Sequence, residues 1–157
     1  MASAFLYETK NPSGEYFDKK SRLSREEYFL ALSRSTTLYG GNLSHSLSEG
    51  FLLHLFGGVA PVRSLILGVN KKSFKPCGFC FVEFENRAGA ERALRALNGL
   101  DIEGRALKLD FDAGFKEGRQ YGRGFEGGQL ADEVEQAERD MERKYNGNKN
   151  SKRTKRD

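Results

Sequence analysis

The sequence predicts an α+β fold of order βαββαβ, a four-stranded antiparallel sheet with both helices on one face. Three observations carry this. Two segments open on a capping residue and repeat apolar side chains at helical spacing. Four others alternate in polarity, or run apolar over lengths typical of strands. Gly, Pro and Asn clusters separate the segments.

In order, Thr36-Thr37-Leu38-Tyr39-Gly40-Gly41-Asn42-Leu43 reads as a strand ending in a turn. Gly40 stands where a β-branched core residue is usual, which leaves space for something else to fill. Ser48 caps a first helix with Leu52, Leu55 and Phe56 on its buried stripe, and Gly57-Gly58 stops it. Val62–Val69 is a second strand, and a polar loop follows from Asn70 to Pro76. Cys77–Phe84 is the third strand. Asn86 caps a second helix whose Ala90, Ala93, Leu94 and Leu97 follow the i, i+3, i+4, i+7 rule, and Asn98-Gly99 ends it. Arg105 to Phe111 alternates, with Leu107, Leu109 and Phe111 inward and Lys108, Asp110 and Asp112 outward.

Within Cys77–Phe84, Phe79 and Phe81 share one face with Glu83, while Cys80, Val82 and Phe84 share the other. A face holding aromatics and carboxylates is expected to stay wet. Two large rings on a wetted face form a stacking platform, because every nucleobase offers a π-face. The run resembles the RNP1 signature of an RNA-recognition motif (RRM), with Cys77 in place of its basic first residue. The run from Leu38 to Leu43 resembles the partner signature, RNP2. An RRM is a ferredoxin-like βαββαβ sandwich whose first and third strands are central. Tyr39 would then lie beside Phe79 and Phe81, with Lys108, Asp110 and Asp112 on the same open face.

Composition sets the bounds. The 157 residues allow one domain plus extensions, with 38% apolar and 31% charged residues and 18 Gly against 3 Pro. The net charge of +4 permits a nucleic-acid partner without requiring one. Acids and bases nearly cancel between Arg34 and Asp112, whereas Lys149–Arg156 is strongly basic. A non-specific backbone binder would carry a broader basic surface. Cys77 and Cys80, three apart on a strand, point to opposite faces, which is poor geometry for zinc or a disulfide. No signal-peptide core or membrane-length apolar run is present, so the chain reads as soluble and intracellular. The polar N-terminal stretch to about Ser33 holds a short helix from about Arg25, opened by a Ser24/Glu27 capping box.

Two acids on a nucleic-acid face need a reason, since phosphates repel them. A solvated strand end accounts for one. A pair points to a ligand with donors or positive charge, such as the N1–H and N2–H₂ edge of guanine. Beyond the last strand, Asp112-Ala113-Gly114-Phe115-Lys116-Glu117-Gly118-Arg119-Gln120-Tyr121-Gly122-Arg123-Gly124, then Gly127-Gly128-Gln129, is glycine-rich with arginines four apart and interleaved aromatics. Alone it is flexible and suited to wrapping phosphates. An acidic helix from about Leu130 to Lys144 follows.

This string, together with the two strand signatures and their spacing, resembles the small subunit of the nuclear cap-binding complex from roughly Tyr16 to Asp132. The resemblance implies an N-terminal extension over 1–33, an RRM over 34–112, a Gly/Arg cap-binding tail over 113–130, and an acidic helix with a basic C-terminus over 131–157. It implies binding of the 7-methylguanosine cap of RNA polymerase II transcripts beside a large helical-repeat subunit, in support of splicing, export and RNA stability. Tyr39 and Tyr16 would sandwich the methylated base above Phe79 and Phe81. Asp110 and Asp112, with the backbone of Phe111, would read the guanine edge. Arg119, Arg123 and Gln129 would hold the triphosphate, with Lys108 at its margin and Val134 near the first transcribed nucleotide. Four positions depart from the family pattern: Phe111 replaces a tryptophan, Lys108 an arginine and Val134 an aromatic, and Gly40 follows the RNP2 tyrosine. The basic run Lys149–Arg156 resembles a nuclear-import signal, a ligand for importin-alpha, and implies a nuclear protein able to shuttle to the cytoplasm. No cofactor or catalytic role is expected, since the aspartates lack a nucleophile or metal cluster. The other readings are a general single-stranded RNA-binding RRM and an RRM whose platform takes a protein partner.

Overall fold

The structure, a computed structural model, describes residues 22–125 and 127–153, with side chains through 146 apart from that of residue 131. In chain order the elements are α1 (Arg25–Arg34), β1 (Thr37–Gly41), α2 (Glu49–Gly57), β2 (Val62–Val69), β3 (Pro76–Phe84), α3 (Arg87–Leu97), β4 (Asp101–Ile102), β5 (Arg105–Ala106), β6 (Lys108–Asp112) and α4 (Leu130–Arg153). Each predicted cap forms. Ser24 and Glu27 close a capping box on α1, Ser48 accepts from the Phe51 N–H at α2, and Asn86 accepts from the Gly89 N–H at α3.

The antiparallel sheet runs β2-β3-β1-β6, so β3 and β1 are central as expected. Its register sets two rows across the sheet. Tyr39 lies opposite Phe81 on one side and Asp110 on the other; Thr37 lies between Glu83 and Asp112. Leu38, Val82, Phe84, Leu107 and Phe111 face the opposite way and pack with Leu52 and Phe56 of α2 and Ala90 and Ala93 of α3. Tyr28 and Leu32 of α1 join the same core. Arg87 fixes α1 to it: its Nη1 donates to the carbonyls of Leu32 (2.6 Å) and Ser35 (2.9 Å), and its guanidinium lies 3.6 Å from the Phe111 ring centre.

Two elements differ from expectation. The run Arg105–Phe111 is not one strand. Asp101–Ile102 and Arg105–Ala106 form a separate hairpin, turning through positive φ at Glu103 and Gly104. Leu107 then exchanges backbone hydrogen bonds with Gly99 and Leu100, and only Lys108 onward pairs with β1. The cause is length: β1 ends at Gly41, opposite Lys108, so earlier residues have no partner in the main sheet. The acidic helix runs past Lys144 to Arg153, supported on its surface by the i,i+4 pairs Glu135–Arg139 and Gln136–Asp140.

The space at Gly40 is filled from the neighbouring strands. A Cβ there would lie 3.0 Å from Cys80 Sγ and 3.4 Å from Leu109 Cδ2. Gly40→Val should therefore destabilise the domain by about 1–3 kcal/mol, overpacking outweighing the gain in strand propensity. A urea midpoint equal to or above the parent's would show that the core yields. Cys80 is in this core and Cys77 is on the other face, and burial pushes their thiols up to about 12 and about 11.

Candidate nucleic-acid interface

The open face carries the expected aromatic cluster. Tyr39 and Phe79 stack with ring centres 5.9 Å apart, and Phe81 stands edge-on to both at 5.6 and 5.9 Å. The expectation that these rings are wetted needs correction. Phe79 is 5% and Phe81 3% exposed, because the chain beyond β6 folds back as a roof. The Phe115 ring lies 5.5 Å from that of Phe81, and the Arg119 guanidinium sits 4.8 Å from the Phe81 ring centre. Tyr39 stays half-buried.

The glycine-rich segment holds this course through its backbone. Val69 donates to Gln120 O (2.8 Å) and accepts from Gly122 N (3.0 Å), and Lys71 N donates to Gly127 O (2.8 Å). The strap thus lies along the β2 edge, across the sheet from β6. It doubles back on itself so tightly that a Cβ on Gly122 would meet the Gly128 carbonyl oxygen at 2.3 Å, which is why no larger residue fits there.

Platform and strap enclose a cavity of about 370 Å³, a size suited to a nucleotide-like head group. Tyr39, Phe79 and Phe81 supply aromatic surface; Asp110 and Asp112 stand on β6; Arg123 and Gln129 come from the strap. Asp112 is 4% exposed, its Oδ2 accepting from Arg119 Nη1 (2.5 Å) and the Gly114 N–H (3.2 Å). The same Arg119 Nη1 donates to Gly114 O (2.9 Å). Asp110 is exposed, and its Oδ1 accepts from the Phe111 N–H (3.0 Å). Gln129 Nε2 is buried without a hydrogen-bond partner among the described residues. A donor buried on a cavity wall is placed to serve an acceptor that enters the cavity, water or ligand.

Tyr39, Phe79, Phe81, Asp110, Asp112, Arg119, Arg123 and Gln129 therefore meet at one cavity. Three predicted residues stand elsewhere. The Phe111 ring turns into the core, leaving its backbone beside Asp110. Lys108 is exposed opposite Gly41 and Val134 is exposed on α4, neither lining the cavity. Tyr16 and the side chains of Lys149–Arg156 lie outside the described residues. Tyr28, Tyr121 and Leu130 line the cavity without having been predicted to. Tyr28 stands at helical spacing from Leu32 and packs with it in the core, which hides its second role from a periodicity reading. Tyr121 carried a usable signal, an aromatic set between two arginines.

An antiparallel βαββαβ sheet with aromatics on the open faces of its two central strands defines a nucleic-acid-binding module of the RRM class. The RNA recognition motif family matches residues 38–108, and the fold is similar to that of the crystal structure of RNA binding protein PG1 (TM-score 0.50, 29% identity, covering 53% of this chain and 100% of that one). Within the class the relatives are particular. The chain is 47% identical over 119 residues to nuclear cap-binding protein subunit 2 of Rattus norvegicus, covering 76% of each. It is 46% identical over 122 residues to that of Homo sapiens, covering 78% of each, and 48% identical over 118 residues to that of Drosophila ananassae, covering 75% and 77%. The chain belongs to the nuclear cap-binding protein subunit 2 family.

Proposed function

We propose that this chain binds the 7-methylguanosine cap of nuclear transcripts as the small subunit of a heterodimeric cap-binding complex. The observation that carries the reading is the polarity of the cavity. Carboxylates stand at the β6 end, aromatic rings lie between, and cationic and amide donors stand at the strap end. A methylated guanine is complementary part by part. Its Watson–Crick edge offers donors to Asp110 and Asp112, and its cationic ring suits stacking on Tyr39, with Tyr16 closing the other side. The triphosphate meets Arg123 and the orphaned Gln129 amide. Arg119 stands at the junction, oriented by Asp112, and Lys108 extends the cationic margin. This is a binding role without catalysis.

The complex also includes a large helical-repeat subunit, and its RNA ligands are polymerase II pre-mRNA and snRNA on their way to splicing, export or turnover. Lys149–Arg156 serves as an import signal read by importin-alpha, with shuttling to the cytoplasm afterwards. Capture on 7-methyl-GTP resin tests the central claim. The full chain should be retained, released by free m7GpppG, and left on the resin by an excess of uncapped RNA. Equal release by uncapped RNA would replace the reading with that of a general single-strand binder.

A further inference from the structure

We propose a second RNA-binding surface, formed by the β2–β3 loop and the strap, that takes the first transcribed nucleotides of capped RNA. The proposal rests on the cap reading, which fixes where the transcript leaves the cavity. Asp110 and Asp112 stand on β6, at one edge of the sheet, and the strap runs along β2 at the other. A guanine whose donor edge faces β6 has its imidazole end, ribose and phosphates directed toward β2. The chain that continues from the triphosphate therefore passes over residues 70–75 and 121–125.

That surface has the composition of a single-strand track. Lys71, Lys72 and Lys75 are exposed within one short loop, and Arg123 is exposed beside them. Two large rings project among these cations: Phe74 is 66% and Phe125 93% exposed. Neither is placed there by slack. Asn70 Oδ1 accepts from the N–H groups of Lys72 and Ser73, and Phe74 N donates to Asn70 O, which holds Phe74 at φ +59. A bulky residue in the left-handed region is uncommon and costs free energy, so its outward ring calls for a use. Phe74 meets Tyr121 edge-on at 6.2 Å, and Tyr121 lines the cavity, so the surface is continuous with the cap site. Phe125 is tied to the same loop by Lys72 Nζ on its carbonyl (3.3 Å), and its N–H donates to Glu133 Oε2 (2.6 Å). Exposed rings interleaved with lysines at the exit of a nucleotide pocket suit bases stacking and phosphates passing between them.

The experiment compares three probes by fluorescence titration on the full chain, alone and with its partner subunit: 7-methyl-GTP, an m7G-capped octanucleotide and the same octanucleotide uncapped. The variants are Phe125→Ala, whose ring leaves no core gap, and Phe74→Asn, since Asn tolerates the left-handed backbone. Combined, they should weaken the capped octanucleotide by about tenfold or more, with 7-methyl-GTP unchanged. Replacing Lys71, Lys72 and Lys75 by Gln should lower the salt dependence of octanucleotide binding by about two units of slope. Unchanged affinity for the capped octanucleotide, or an equal loss for 7-methyl-GTP, overturns the proposal. If the parent binds capped and uncapped octanucleotides alike, the cap reading fails, and the same variants still decide the surface through the uncapped probe.

Discussion

Asp112→Asn is expected to weaken 7-methyl-GTP binding by about a hundredfold while leaving the domain folded. The exchange removes no volume, and the acceptor oxygen survives. What is lost is charge at a site 4% exposed, where the carboxylate pairs with Arg119 and, on the proposed reading, accepts from the ligand as well. A hydrogen bond to a charged acceptor contributes roughly 1.5–3 kcal/mol, against about 1 kcal/mol for a neutral pair. The amide also sets an N–H₂ beside either the guanine donors or the Gly114 N–H, which now donates to Oδ2. Arg119 loses its anion, though it keeps the Gly114 carbonyl at 2.9 Å and the face of Phe81, so the roof has a reason to stay closed. Asp110→Asn should cost less, about tenfold, because Asp110 is exposed and water screens its charge. Titration with 7-methyl-GTP and a parallel urea unfolding curve check both. An Asp112→Asn protein that binds within threefold of the parent and unfolds normally would remove the carboxylate from the site.

The sheet and its helices were legible because local signals agreed with one another. Ser24, Ser48 and Asn86 each stand before an apolar stripe of helical period, and the alternation at Leu107, Leu109 and Phe111 admits one inward face. The break before Lys108 was not legible, since it depends on where β1 stops in space rather than on residue types nearby. The roof over Phe79 and Phe81 escaped for a related reason. Glycines report that a segment can bend, whereas the path it takes is set by Val69 and Lys71, about fifty residues upstream in sequence. The pairing of Arg119 with Asp112 follows from that path. The resemblance puts Arg119 with the phosphates; in the fold it also pairs with the Asp112 carboxylate.

Methylation at N7 should raise affinity for GTP by about thirtyfold or more, and Tyr39→Ala should erase most of that preference. GTP and 7-methyl-GTP offer Asp110 and Asp112 comparable edges and offer Arg123 and Gln129 the same phosphates. They differ in that the methylated purine carries a positive charge. A cation desolvated against an aromatic face gains about 2 kcal/mol or more, and the two carboxylates add Coulomb attraction within the same cavity. The preference must therefore come from the rings and the acids together, and it should shrink when either is removed. Asp112→Asn lowers affinity for both ligands, since both use the edge contact, and for 7-methyl-GTP somewhat more, since its cation also loses Coulomb attraction. Tyr39→Ala, by contrast, penalises 7-methyl-GTP far more than GTP, because only the methylated base carries the charge that the ring attracts. A Tyr39→Ala protein that still prefers the methylated ligand thirtyfold would place the discrimination elsewhere in the cavity. Equal affinities in the parent would leave an aromatic sheet face that stacks on bases in general, and Asp110 and Asp112 without a ligand that explains them.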